Sequence, residues 1–382
     1  MEFLTDIVAI LIVSLFLIIL MNRFRLPTVT GLLIAGMIIG PYGVSLIKNT
    51  LLIDVLGELG VILLLFLLGL ELNPKELSLL WNKTLIFALC EISASFILGF
   101  ILGAALSWSF IESFILASTL SISSTAIIGK IIMDEFKLNA AESKLIISTL
   151  IAEDLFAVFL LILMPGLFLN KVNLTQFLFI TLKAAILILT IFLATRFLIS
   201  RVIDKICHYD IEVEEAGFLL SLTLCLTAAY LSKFLGFSPG IGAFLSGLFL
   251  LGKRARFIYE KLRLIKDLFI ILFFVSMGML IDFSFLTFGK LVFFVFLASV
   301  AGKVLGFITA GAVTGFKNKA YKMGLTMIPR GEFSFIIAKT SISLGIASSL
   351  IFPLTGAVVL ITSIFGALIK IVKKPSQFAS QI

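Results

Sequence analysis

Two acidic residues, Glu153 and Asp154, stand side by side inside the run IISTLIAEDLFAVFLL, from Ile146 to Leu161. An ionised carboxylate at the depth of a bilayer costs about 3 kcal/mol or more unless it is paired or hydrated. Adjacent carboxylates also repel each other. A carboxyl group in such a place is suited to swapping a proton for a cation, and Asp154 is the candidate carrier of both. Glu153 is turned by about 100° around a helix relative to its neighbour. One acid can therefore face an ion while the other pairs elsewhere.

Further polar residues interrupt apolar stretches. Lys303 lies inside FFVFLASVAGKVLGFITAG, with apolar turns on both sides, and is the natural base for one of the acids. Gly302 beside it permits close helix approach. Ser124 and Thr125 in SISSTA offer hydroxyl and carbonyl oxygens, which suit hard cations. Ser148 and Thr149 lie about one turn before the acids and could complete such a shell. Arg330 and Glu332 flank Gly331 in PRGEF and are expected to form a structural ion pair, with each other or across helices. Glu58, Glu91 and Lys339 have no evident partner and read as structural.

The elements that must position these residues are membrane spans. The chain of 382 residues is 60% hydrophobic and only 14% charged, with a mean hydropathy of +1.21. Soluble domains carry about 25% charged residues, so the composition excludes a soluble protein. A span needs about 20 apolar residues. Thirteen segments are expected, at 4–21, 27–43, 55–71, 84–106, 112–131, 145–166, 175–199, 214–233, 238–252, 265–282, 287–313, 319–345 and 353–371. The ninth is short and Gly-rich, as suits a closely packed helix. The first is followed, not preceded, by Arg23 and Arg25 and reads as a retained helix rather than a cleaved signal. Loops are expected at 201–213 and 253–264, the second a basic contact for a cytoplasmic lipid surface.

With basic residues near segment ends assigned to the nearer side, lysine and arginine after odd-numbered segments outnumber those on the other side by 22 to 5, and Lys303, Arg330 and Lys339 remain within segments. Basic loops stay in the cytoplasm. The N-terminus is therefore expected outside and the C-terminus in the cytoplasm of a multi-pass plasma-membrane protein. The same rule accounts for the net charge of +8 without nucleic acid. The cysteines, Cys90, Cys207 and Cys225, are scattered, and the one histidine, His208, lies in a loop. No metal motif, enzyme constellation, Walker motif or potassium-filter sequence appears, and no cofactor is expected beyond the transported ions.

Thirteen spans divide into six, one and six, so the second six start on the opposite face from the first. That is the arithmetic of an inverted repeat. The expected division is a first repeat over 1–170, a linker helix and loop over 171–212, a second repeat over 213–375 and a short tail over 376–382. Breaks fall at matching positions, fifth of six in each half: SISSTA in the fifth segment and PRGEF in the twelfth. Paired broken helices point to an ion site near the midplane. Gly36 and Gly40 in segment 2 form a GxxxG face, a candidate helix-packing or dimer surface.

The acidic pair, the two breaks and Lys303 together resemble the cation/proton antiporter superfamily, with the NapA-like and Kef-like branch the nearest likeness. The resemblance covers essentially the whole chain. It implies an all-α fold of 13 transmembrane helices, built as two inverted six-helix repeats with crossed broken helices. It also implies a moving core of segments 3–6 and 10–13, a dimerisation domain of segments 1, 2, 8 and 9, and elevator-like alternating access in a homodimer. Asp154 matches the ion-binding acid, Glu153 the acid paired with Lys303, and Ser124 and Thr125 the unwound region near the ion. NapA-like members show Asp-Asp at this pair and Kef-like ones Gln-Asp; here it is Glu-Asp. An acid with a lysine resembles electrogenic members. The Kef-like cytoplasmic nucleotide-binding domain is absent from this sequence, which favours a free-standing antiporter. The expected activity is exchange of Na+ or Li+ for protons. A potassium/proton antiporter or Kef-like potassium efflux system stays open, as does a sodium-coupled organic-solute symporter.

Overall fold

A computed structural model describes residues 2–24, 26–48, 50–71, 81–125, 127–128, 132, 140–168, 174–199, 201–202 and 214–372. The described chain is helical. The first six helices are α1 (Glu2–Arg23), α2 (Thr28–Ile39), α3 (Thr50–Glu71), α4 (Trp81–Ala105), α5 (Phe110–Ser121) and α6 (Ala140–Phe168). Then come α7 (Leu174–Leu193), which runs into a π-helical turn at Ala194–Ile199, α8 (Glu214–Phe234), α9 (Pro239–Leu248) and α10 (Lys253–Met279). The chain closes with α11 (Gly289–Thr314), α12 (Lys317–Thr326), α13 (Glu332–Ser343) and α14 (Ile351–Val372).

Among the described residues five helices are long and apolar enough to cross a membrane, in α1, α4, α6, α8 and α11, and shorter apolar helices stand beside them. Large apolar side chains such as Leu15, Phe16, Ile97 and Phe293 are exposed, as they must be on a lipid-facing surface. The protein is a multi-pass membrane protein.

The helices form two compact units. One comprises 1–48, 80–157 and 277–382; the other comprises 49–79 and 158–276. Each draws on both halves of the sequence. The first holds segments 1, 2, 4, 5 and 11–13 with most of the sixth, and the second holds segments 3 and 7–9 with most of the tenth. This grouping differs from the core and dimerisation sets that the resemblance implies.

In the second unit, α3 and α9 cross with backbone against backbone. A side chain on Gly69 would meet Phe244 and Leu248, and one on Gly247 would meet Phe66 and Leu70. The short ninth segment is thus the tightly packed helix that its glycines suggest. Residues 253–264, expected as a basic loop, are the first turns of α10 instead. Ile258 and Leu262 are buried in an apolar cluster with Ile62, Phe66 and Leu224, against which Ile265 and Phe269 also pack. Their spacing is that of one helix face, while Lys253 and Arg256 are exposed.

In the first unit, Gly36 and Gly40 do not form a free surface. Gly278 closes on Gly36, and Met279 closes on Gly40. The contact that positions the polar site is the crossing of α4 and α11. A Cβ on Gly302 would lie 2.6 Å from the Ser95 Cα, and one on Gly306 would strike the backbone of Glu91. Small residues let transmembrane backbones approach in this way, and here they carry Lys303 up to Glu91. Below the crossing, Phe87, Ile146, Leu150, Phe307 and Met323 form an apolar cluster.

Overpacking a tight contact costs about 1–3 kcal/mol. Gly306→Leu is expected to lower the thermal melting temperature of the purified protein well below that of Gly289→Leu, because nothing lies within 4 Å of a Cβ at Gly289. Equal melting temperatures would refute the close crossing.

Candidate functional site

Both expected breaks are present, and they meet. Helix α5 starts at a capping box, in which Glu112 N donates to Ser109 Oγ at 3.2 Å and Ser109 N to Glu112 Oε2 at 3.3 Å. Its last turns carry hydroxyls bonded back to the helix's own carbonyls: Ser118 to Phe114, Thr119 to Leu116 and Ser121 to Ala117. Such bonds compete with the helical ladder. The helix stops at Ser121, and Ile122 is extended (φ −110°, ψ 129°). The second break lies between Thr326 and Glu332. Pro329 has no N–H to give and disfavours helix at the residue before it.

Across the junction Ser124 N donates to Pro329 O at 2.8 Å, Ser123 Oγ to Met327 O at 2.9 Å and Ser334 Oγ to Thr119 O at 2.8 Å. Backbone groups released by one break are thus satisfied by the other, which is how non-helical backbone survives at membrane depth. Gly331 passes so close that a Cβ there would lie 2.5 Å from the Ser124 Cβ.

Around this junction six ionisable side chains are buried among the described residues: Glu91, Glu153, Asp154, Lys303, Arg330 and Glu332. Lys303 Nζ forms ion pairs with Glu91 Oε2 and, at 3.1 Å, with Glu153 Oε2. It also donates to the Ser121 carbonyl. Of the ammonium's three donors, two are hydrogen-bonded, to Glu91 Oε2 and to the Ser121 carbonyl. The last places a positive charge on the C-terminal end of α5, where orphan carbonyls and the helix dipole favour it. Glu153 further accepts a hydrogen bond from Ser123 N at 2.5 Å. The expected Glu153–Lys303 pairing is present, and Glu91 joins it. Sequence reasoning read Glu91 as a structural residue without a partner. Its signal was visible: it sits in mid-helix, between apolar turns of α4.

Asp154 points elsewhere, as its place on the helix requires. Its Oδ2 accepts from Thr125 Oγ1 at 2.9 Å. Its Oδ1 is buried with no hydrogen-bond partner among the described residues. Ser124 does not reach Asp154. Its hydroxyl donates to Glu332 Oε2 at 3.2 Å and accepts from Ile127 N. Ser148 and Thr149 donate to the Lys144 and Leu145 carbonyls of their own helix.

The ion pair expected of Arg330 and Glu332 is absent. Arg330 Nε and Nη2 donate to Ser299 Oγ and Ser299 O, at 3.0 and 2.8 Å, while Nη1 reaches Ser123 Oγ at 3.4 Å. Its backbone N donates to Thr362 Oγ1 at 3.1 Å. The guanidinium lies in the field of Glu153 and Glu91. Glu332 opens α13 and turns to Ser124. The extended backbone at Gly331 sends the two side chains apart, Arg330 to α11 and Glu332 to the break after α5. The residues missed from sequence are therefore Glu91, Ser123 and Ser299. Serines carry little sequence signal, because most of them bond within their own helix.

The arrangement sorts the acids by role. Glu91 and Glu153 are bound to Lys303. Among the described residues Asp154 and Glu332 have hydroxyl or backbone partners, at the point where two broken helices meet. Discontinuous helices of this kind form the ion sites of secondary transporters, and the chain's relatives are of that class. Residues 10–374 match the family described as "Sodium/hydrogen exchanger, transmembrane". The chain belongs to that family.

It is 30% identical over 351 residues to the Na(+)/H(+)-K(+) antiporter GerN of Bacillus cereus, covering 89% of this chain and 88% of that protein. It is 28% identical over 358 residues to the K(+)/H(+) antiporter subunit KhtU of Bacillus subtilis, covering 91% and 88%. In fold it resembles the sodium proton antiporter MjNhaP1 of Methanocaldococcus jannaschii at pH 8, with a TM-score of 0.72 at 17% identity over 97% of this chain and 96% of that one.

Removing one partner of a buried ion pair costs about 3–5 kcal/mol, whereas an exposed pair contributes about 1 kcal/mol or less. Glu91→Gln is expected to lower the melting temperature sharply. Glu58→Gln, which breaks the exposed pair with Lys233, is expected to change it little. A small effect from Glu91→Gln would contradict its role as an anchor of Lys303.

Proposed function

We propose that this protein is a secondary active transporter that exchanges a monovalent cation, Na+ or Li+, for protons by alternating access. One observation carries the reading: in a chain of the sodium/hydrogen exchanger family, the Asp154 carboxylate is fully buried beside two broken helices and keeps one oxygen without a partner. Ionised Asp154 binds the cation with help from Thr125 and the carbonyls of the break. Protonation of Asp154 releases it. The unit crosses with either ion bound, because an empty charged site is costly to carry through apolar surroundings. Glu153 and Lys303 hold the acid helix to the break, and an acid–lysine pair supports electrogenic exchange.

The finer architecture of the proposal is 13 spans in two inverted repeats, over 1–170 and 213–375, joined by a linker over 171–212. It is completed by an elevator-like movement, a homodimer, an N-terminus outside and a C-terminus in the cytoplasm. Potassium is the second reading, favoured by the likeness to KhtU, whose name is that of a K(+)/H(+) antiporter subunit.

The test is cation-evoked proton movement in proteoliposomes, with a pH dye and a clamped membrane potential, adding Na+, Li+ and K+ in turn. The native chain is expected to respond to Na+ or Li+, and Asp154→Asn to lose the response at least a hundredfold. A response to K+ alone selects the second reading. Undiminished exchange by Asp154→Asn would overturn the site.

A further inference from the structure

The charges buried at the junction do not balance. Four acids, Glu91, Glu153, Asp154 and Glu332, face two bases, Lys303 and Arg330. Lys303 is committed to Glu91 and Glu153, and Arg330 lies in the field of the same two. Asp154 and Glu332 are left over, and Asp154 lies in the field of Glu332. A buried charge needs a counter-charge or a metal ion, and among the described residues no basic side chain forms an ion pair with either acid of this second pair.

The geometry brings the two acids to one place from different helices. Thr125 holds Asp154 and its neighbour Ser124 holds Glu332, so consecutive residues of one break carry both carboxylates. Helix α13 begins at Glu332, which leaves this carboxyl at the very start of the second half-helix. Independently, Asp154 Oδ1 is wholly buried and has no hydrogen-bond partner among the described residues. It is an acceptor with nothing to accept from, in a position where a cation is the missing partner.

We propose that Glu332 is a second carboxylate ligand of the transported cation, which lies between Asp154 and Glu332 with the Ser124 and Thr125 hydroxyls beside it. The inference rests on the exchange site proposed above. It changes the role of Glu332 from a structural partner of Arg330 to a specificity-determining residue. The two breaks then contribute unequally. The first supplies hydroxyls and carbonyls, and the second supplies a charge.

A doubly negative, oxygen-lined site also attracts hard divalent cations. Among the described residues no group of three His, Cys, Asp or Glu side chains is placed to hold a metal ion. Such a cation is therefore held weakly and acts as a competitor, not as a resident ion.

The experiment uses the same proteoliposomes and whichever of Na+, Li+ or K+ evokes the largest proton movement. The cation KM and the maximal rate are measured for the native chain, Glu332→Gln and Glu332→Asp, with and without Ca2+ on the side of cation addition. Glu332→Gln is expected to raise KM at least tenfold while changing the maximal rate less, and to abolish inhibition by Ca2+. Glu332→Asp is expected to recover both in part.

An unchanged KM and unchanged Ca2+ response in folded Glu332→Gln would overturn the proposal, as would a fall in rate at constant KM. Should Glu332→Gln not fold, the native chain decides. Ca2+ that raises KM without lowering the maximal rate supports the doubly charged site, and no competition by Ca2+ overturns it. Asp154→Asn separates the two levels: retained exchange there defeats the exchange site itself, whereas lost exchange with an indifferent Glu332→Gln defeats only this inference.

Discussion

The buried ammonium of Lys303 is the interaction on which the rest of the polar interior depends. A lysine in apolar surroundings is costly unless every donor finds an acceptor. This one takes Glu91 from α4, Glu153 from α6 and the Ser121 carbonyl at the end of α5. Three helices are thereby tied at one atom. The tie also orients Asp154. With Glu153 fixed toward the lysine, the helix geometry sends the neighbouring acid to a different side, where Thr125 receives it.

Close helix packing makes that interaction possible. The side chain of Lys303 reaches Glu91 because Gly302 and Gly306 let α11 lie against the backbone of α4. The two breaks follow a similar economy. Each helix end leaves orphan backbone groups, and each break supplies partners for the other through Ser124 N to Pro329 O and Ser123 Oγ to Met327 O. Neither break would be tolerable alone in hydrocarbon, whereas together they form a polar junction enclosed by apolar helices. The result is a rigid frame holding an acid with an unsatisfied oxygen, which is the minimum that a reversible cation site requires.

Several features of this frame were legible in the residues. The acid pair, the two breaks, a base for one of the acids and the hydroxyls near Asp154 follow from charges and helix-breaking residues inside apolar runs, while the choice of Glu153 as the partner of Lys303 follows from the family resemblance. Other readings had to be replaced. Arg330 and Glu332 are two residues apart and of opposite charge, which made a pair the economical expectation. The extended backbone at Gly331 separates them, and Ser299 and Ser124 take them instead. Glu91 looked isolated because its partner lies more than two hundred residues away on α11. The basic stretch 253–264 looked like a loop because its charges are dense. Its apolar residues fall on one helical face, and that face is buried.

The sequence by itself determined that the chain lives in a membrane, where its helices break and which carboxylates lie within the apolar layer. These are local or compositional facts, governed by the cost of burying charge and by the backbone limits of proline and serine. The tertiary structure decided which acid meets which base, which hydroxyl meets which acid and which oxygen is left without a partner. Those outcomes depend on the rotation and crossing of helices distant in sequence. There a displacement of one residue turns a side chain by about 100° and exchanges one partner for another.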